Sequence, residues 1–263
     1  MISFSSCWAI VLRHFHVWKR EPNLLLMGFY WPLLDIFIWG FLGAWIGQSQ
    51  TSLPNYEAVA LLGILLWQVV GRGCNMLGIL LCEELWVQNF INLFSLPLRT
   101  AEWIVGIVLF SSMVMCLTFL MSVVAIAFFY SVSISYLVST FLLFLPPLFL
   151  SALWLGFTCL QIVISFGRRA GEFGFVIGWF FLPFTGAYYP IEVLPQWAQT
   201  FSKLLPMSYV FQGMRGYVMY GADPADYLIK SYALSIPYAL IAIAVFFYCF
   251  NRAKRRGLVR LMD

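Results

Sequence analysis

Apolar residues in this chain gather into long uninterrupted runs, near 23–46, 57–82, 103–130, 137–166, 173–190 and 228–250. Each is about as long as a helix needs to cross a bilayer, roughly 17–25 residues. Inside lipid every backbone polar group must find its partner within the protein, so such runs become helices or strands of a closed barrel. Barrel strands alternate apolar and polar residues; these runs do not, which leaves helices. A water-soluble fold is excluded on the same ground, since only 10% of the residues are charged against roughly 25% in soluble domains. The sequence therefore predicts an all-α integral membrane protein, one transmembrane domain over 1–263, with six transmembrane helices.

The stretches between the runs complete the expected layout. In residues 1–21, Trp8, Val11, Leu12, Phe15 and Trp18 share one helical face and Arg13, His16 and Arg20 another. That pattern predicts an amphipathic helix in the membrane surface, ended by Glu21-Pro22. Residues 83–102 are amphipathic and charged and should lie outside the lipid. Residues 131–135 read as a tight turn, and Pro146-Pro147 as a kink in the fourth span. Residues 191–227 are half-polar, with a short helix between prolines, and predict an extracytoplasmic re-entrant helical hairpin before the last span. With the N-terminus in the cytoplasm, eleven of the 15 Lys and Arg face inward and three outward, Lys203, Arg215 and Lys230. This asymmetry predicts that both termini are cytoplasmic. The net charge of +4 follows from that bias, and the basic tail suits anionic lipid headgroups rather than nucleic acid.

Catalytic chemistry finds little to work with. The six cysteines form no CxxC pair and read as small buried hydrophobes. His14 and His16 are two apart, point to different sides and predict solvated interfacial residues. No phosphate-binding Gly-Lys-Ser or Gly-Lys-Thr occurs, so no ATPase site, metal or cofactor is expected in this chain. Ionisable groups inside a membrane are functional candidates by default. Here they are Asp35 in the first span and Arg72 in the second, at similar depth and able to pair. Gln68, Arg72 and Asn75 form one polar stripe on the second helix. It reads either as part of a transport path or as an ion pair that fixes helix packing. Gly40, Gly43 and Gly47, and Gly174 with Gly178, offer close-packing faces for an internal contact or a dimer seam.

Three features together resemble the ABC type-2 exporter permeases. An amphipathic entry helix precedes the spans. The segment EELWVQNFINLFSLPLRTAEW links the second and third. After the fifth comes a small-residue turn at Gly186, then Tyr189-Pro190, Leu194-Pro195, Trp197, Pro206 and Arg215. The resemblance covers essentially the whole chain. It implies an inner-membrane exporter subunit in which two permease chains, as a homodimer here, work with two copies of a separate ATPase that holds the ATP and Mg. It also implies that residues 83–100 carry a coupling helix that docks on the ATPase, for which the candidates are Glu83, Glu84, Trp86, Phe90, Phe94, Pro97 and Arg99. Glu83 and Glu84 should stay in water, while Leu85 and Trp86 with the two Phe fill a groove on the partner. First and fifth spans would meet at the central path, with Tyr30, Gln68, Trp179, Tyr188 and Tyr189 as candidate lining residues.

The aromatic residues suit sugar rings, drugs and lipids alike. The hairpin Leu194-Pro195-Gln196-Trp197 resembles the drug, lipid and lipooligosaccharide branch of the family. That resemblance implies a hydrophobic or amphipathic cargo, such as a drug, a lipid or a lipid-linked glycan, ahead of a long polysaccharide. A reading of another class is an ion- or proton-coupled carrier using Asp35 and Arg72. It would transport without any ATPase.

Overall fold

The computed structural model describes residues 3–49, 56–86, 90–130, 133–167 and 170–256. The described residues are almost wholly helical. Helix α1 is Phe4–Arg20, α2 Pro22–Ser49, α3 Tyr56–Trp86, α4 Phe90–Ser95, α5 Thr100–Tyr130 and α6 Ile134–Phe166. Then come α7 (Gly171–Thr185), a 3-10 turn (Ile191–Val193), α8 (Gln196–Ser202), α9 (Pro206–Tyr220) and α10 (Ala225–Arg256). Five of them, α2, α3, α5, α6 and α10, are long and apolar enough to cross a membrane. Helix α7 has 15 residues, about 22 Å at 1.5 Å per residue. That is shorter than a hydrocarbon core of about 30 Å.

The fold is built around α3. Its most extensive pairing is with α6, and α6 in turn packs on α10. Small residues let the first pair close up. A Cβ on Gly73 would stand 2.8 Å from the Cβ of Ala152, and one on Gly156 would stand 2.5 Å from Leu77. Lipid gives helices no hydrophobic drive to associate, so this close backbone approach is a main source of attraction. Helix α6 runs through Pro146 and Pro147 without a break, and the Ser151 hydroxyl donates to the carbonyl of Pro147 at 3.0 Å. Gly40 abuts Tyr130, whose hydroxyl donates to the Ile36 carbonyl at 3.1 Å, and Gly43 abuts Ala60. Both glycines thus serve contacts within the chain.

Two apolar clusters divide the bundle by height. One gathers Ile10, Val11 and Trp18 with Leu81, Leu85, Trp103, Val163, Phe246 and Phe250. The other gathers Leu61, Leu62 and Leu66 with Ile126, Phe144, Ala187, Phe211 and Met214. The first holds the α1 end of the bundle, the second the opposite end. Helix α7 starts after the C-terminus of α6, passes Cys74 and Asn75 at Gly178, and reaches the opposite end where Ala187 meets Gly63. There Gly186 adopts a left-handed φ of 73°, which glycine accepts without a side-chain clash. The chain then doubles back through α8 and α9. Helix α9 turns Met207, Val210, Phe211, Met214 and Val218 into the core, the spacing of one helical face.

Helix α1 differs from its expected orientation. Its buried face is Cys7, Ile10, Val11, His14 and Trp18, packed on α5 and α2. Trp8, Leu12 and Phe15 are exposed. His14, expected in solvent, is buried. Both flanks of the helix are apolar, and hydropathy does not tell a lipid-facing side chain from a protein-facing one.

Candidate functional site

At the α1 end, charge is brought inside the protein and neutralised there. The guanidinium of Arg13 grips the carboxylate of Glu84 with both nitrogens. Nη2 donates to Oε2 at 2.9 Å and Nη1 lies 2.6 Å from Oε1. Paired Arg–carboxylate contacts of this kind are among the stronger polar interactions. Glu84 is only 1% exposed and Arg13 37%. The imidazole Nε2 of His14 stands 3.8 Å from the same carboxylate, and its ring leans on Phe110 at 5.6 Å. Burial holds His14 down at about 4, against the pull of Glu84 and with help from Arg13. It is therefore neutral at ordinary pH.

A second carboxylate ties helix starts together. Glu102 accepts from the backbone N–H of Arg99 at 3.0 Å and from that of Ser3 at 2.8 Å. The first contact is the returning half of a capping box, in which a Glu at the third helical position reaches back to the residue before the helix. The second satisfies the N-terminus of α1 as well. Helix α1 is thus pinned to the end of α3 by Arg13 and to the start of α5 by Glu102. A Cβ on Gly106 of α5 would stand 2.6 Å from that of Ile10, so the two helices are in direct backbone-range contact.

The segment 83–102 is not one independent element. Helix α3 continues through Glu83 and Glu84 to Trp86, α4 is a short helix, and α5 begins at Thr100. Glu84 and Leu85 are buried, contrary to the expectation that one stays in water and the other meets a partner. Their neighbours on α1, α5 and α6 already fill that space. Glu83 is half-buried, while Trp86, Leu96, Pro97 and Arg99 are exposed. The side chains of Phe90 and Phe94 lie outside the described residues.

Halfway along the bundle, Asp35 of α2 and Arg72 of α3 are each half-buried, and each supplies the opposite charge that offsets the other's burial. Gln68 sits one turn from Arg72 and is 9% exposed. Gln68 and Arg72, with Thr118 and Ser122 of α5, border a void of about 10 Å³, enough for about one water. Neither end of the Gln68 amide has a hydrogen-bond partner among the described residues. The stripe faces α5 rather than open space, and Asn75 turns toward Gly178 of α7.

Helices α2 and α7 each present exposed aromatic residues. Tyr30, Trp31, Phe41 and Trp45 stand out from α2, and Trp179 and Phe180 from α7. Trp39 of α2 stacks on Tyr188, in the turn after α7, at 4.0 Å and 11°. Tyr188 and Tyr189 are half-buried, and the Tyr189 hydroxyl donates to the Pro183 carbonyl at 2.8 Å. Arg215 of α9 donates to the Gly186 carbonyl at 3.1 Å, which fixes the turn that presents these tyrosines. The structure thus places Tyr30 and Trp179 on the surface, Tyr188 and Tyr189 at its margin and Gln68 in the interior.

The sequence profile of the family described as ABC-2 type transporter matches residues 5–219. No curated protein matches the chain.

Proposed function

Because the chain belongs to the ABC-2 type transporter family, we propose that it is the membrane-spanning permease subunit of an ATP-driven exporter whose ATPase is a separate polypeptide. The observation that carries this reading is the joint at the α1 end. There the end of α3, the start of α5 and helix α1 are held together by Arg13–Glu84 and Ser3–Glu102. Trp86, Pro97 and Arg99 lie on the exposed side of this joint. Force applied to α4 by an ATPase would pass to α3 and α5 together, and α1 would move with them. In this reading Glu84 belongs to the hinge that carries the force, while Trp86, Pro97 and Arg99, with Phe90 and Phe94, form the docking surface. Glu83 lies at its edge.

Six crossings follow if α7 and the turn after it complete the fifth, with 191–227 returning as a re-entrant hairpin. The path of α7 from Asn75 to Gly63 supports this, as does the meeting of α1 and the end of α10 in one apolar cluster. The termini are then cytoplasmic, in the inner membrane of the cell. The exposed faces of α2 and α7 would meet those of a second copy across the path. Cargo would contact Tyr30 and Trp179, with Tyr188 and Tyr189 toward its outer end. Exposed Trp, Tyr and Phe offer large amphipathic surfaces, which suits a hydrophobic or amphipathic cargo. Asp35 and Arg72 act within the subunit, holding α2 on α3.

The test is ATP hydrolysis and transport in lipid by the chain with the ATPase encoded beside it. Replacing Pro97 and Arg99 should uncouple hydrolysis from transport while the chain stays folded. Gradient-driven transport by the chain alone would overturn the reading and return attention to Asp35 and Arg72.

A further inference from the structure

A cavity of about 730 Å³ opens at the end of the bundle away from α1. Its described walls come from the starts of α3 and α6 and the end of α9. They include Glu57, Tyr136, Tyr217, Val218, Met219 and Gly221. The volume lies within the range of small-molecule sites, about 300–1,000 Å³.

Glu57 is the charged residue among the described lining, and it is anionic. Helix α9 ends at the cavity, with Gly221 left-handed at φ 65° and its N–H donating to the Tyr217 carbonyl. The negative end of the α9 dipole lies here, offset by the positive ends at the starts of α3 and α6, so the full charge at the site is that of Glu57. Tyr136 and Tyr217 are each 36% exposed. The Tyr217 ring is held edge-on against Phe144 at 6.2 Å, so it is presented rather than loose. The carboxylate of Glu57 disfavours an anion beside it. A small metal ion would need a tight shell of about six or more oxygens, which an open cavity walled by aromatic rings does not offer. A carboxylate and two electron-rich rings are together the surroundings that stabilise an organic cation.

We infer that this cavity binds an organic ammonium group, with Glu57 as its counter-ion and Tyr136 and Tyr217 against its carbon substituents. The ammonium can come from a free amphipathic amine or from the headgroup of an amine-bearing phospholipid. The inference needs no ATPase and stands apart from the export reading.

The test uses the full chain in nanodiscs. In discs of phosphatidylglycerol alone, benzyltrimethylammonium is titrated and its binding read by saturation-transfer NMR. In discs of mixed phosphatidylglycerol and phosphatidylethanolamine, lipid retained on the protein is read by native mass spectrometry. Wild type should bind the free cation saturably, or retain phosphatidylethanolamine over phosphatidylglycerol. The first result assigns the free amine and the second the lipid. Glu57→Gln should weaken either signal about tenfold or more, the ratio that about 1.4 kcal/mol represents. Tyr136→Leu is a second variant that leaves the carboxylate in place and should weaken it less. Absence of both signals in wild type overturns the inference. So does binding unchanged in the two variants.

Discussion

The two ends of this bundle are held by different physics. At the α1 end, helices are joined by side-chain charge. Arg13 and Glu84 meet across 71 positions of sequence, and Glu102 gathers the backbone starts of α1 and α5. At the opposite end the joints are backbone and shape. Ala187 lies against Gly63 where a Cβ would stand 2.5 Å from its carbonyl oxygen. Arg215 there binds a main-chain carbonyl rather than an acid. A charge joint can be loosened by removing one partner or by changing pH; a steric joint yields only to a change of size. In the proposed exporter the adjustable joint sits where an ATPase would push, and the rigid one where the turn after α7 must keep its place.

The comparison breaks most sharply at Arg13. Arg13→Ala leaves Glu84 nearly fully buried without its counter-charge. Breaking a buried pair costs about 3–5 kcal/mol, and the 37% exposure of Arg13 puts the expected loss near ~3 kcal/mol. Thermal unfolding in lipid should show it. The double variant Arg13→Ala/Glu84→Ala should lose clearly less than the sum of the single losses, because contacting residues couple. Additive losses would mean that the pair contributes nothing as a pair.

Next in size is Gly63→Ala at the steric end. The new methyl would press on the carbonyl of Ala187, and overpacking of this kind costs about 1–3 kcal/mol. The same melting measurement should show a loss that does not change with salt or pH. Gly221→Ala provides the contrast. It meets nothing within 4 Å, so its cost comes from the left-handed backbone alone, about 1 kcal/mol. A Gly63 variant as mild as the Gly221 one would remove shape as the explanation for that end.

Much of the helix layout was legible in the sequence, because apolar run length maps directly onto helices in lipid. The close approach of helices at small residues was legible as well, at Gly40, Gly43 and Gly178. Which side of a helix is buried was not. Lipid tails are as apolar as leucine, so Trp8 and Trp18 look alike in hydropathy while one is exposed and the other packs inside. The polar stripe turned Gln68 away from lipid, but nothing local decided between a transport path and packing against α5. The fate of Glu84 depended on a partner 71 residues away, which no local pattern encodes. Glu102 was within reach, since a Glu three residues past a helix entry is a capping signal. The docking residues that sequence pointed to divide accordingly, with Pro97, Arg99 and Trp86 outside and Glu84 inside.

The gentlest probe of the charged joint is its pH dependence, and its sign follows from His14. Burial depresses His14 to about 4 in the folded chain, while an exposed histidine titrates near about 6.5. The unfolded chain therefore binds a proton before the folded one does, and acid favours unfolding. Stability from this group is complete above about pH 6.5, declines as pH falls through that value, and levels off near about 4. At pH 6 the loss is below about 1 kcal/mol. Burial and the neighbouring Glu84 push Glu83 of the same end up to about 7, so its carboxyl gains stability over the range in which His14 loses it. The His14 effect is therefore read as the difference in melting temperature between wild type and His14→Phe. Wild type should lose stability relative to that variant from pH 7.5 down to 5. The substitution removes the titrating ring and keeps an aromatic group against Phe110. Gly63→Ala should shift the whole curve without changing its slope. If instead His14→Phe keeps the wild-type slope, the proton is taken up elsewhere than at His14, and the pH dependence of this end lies with its carboxylates.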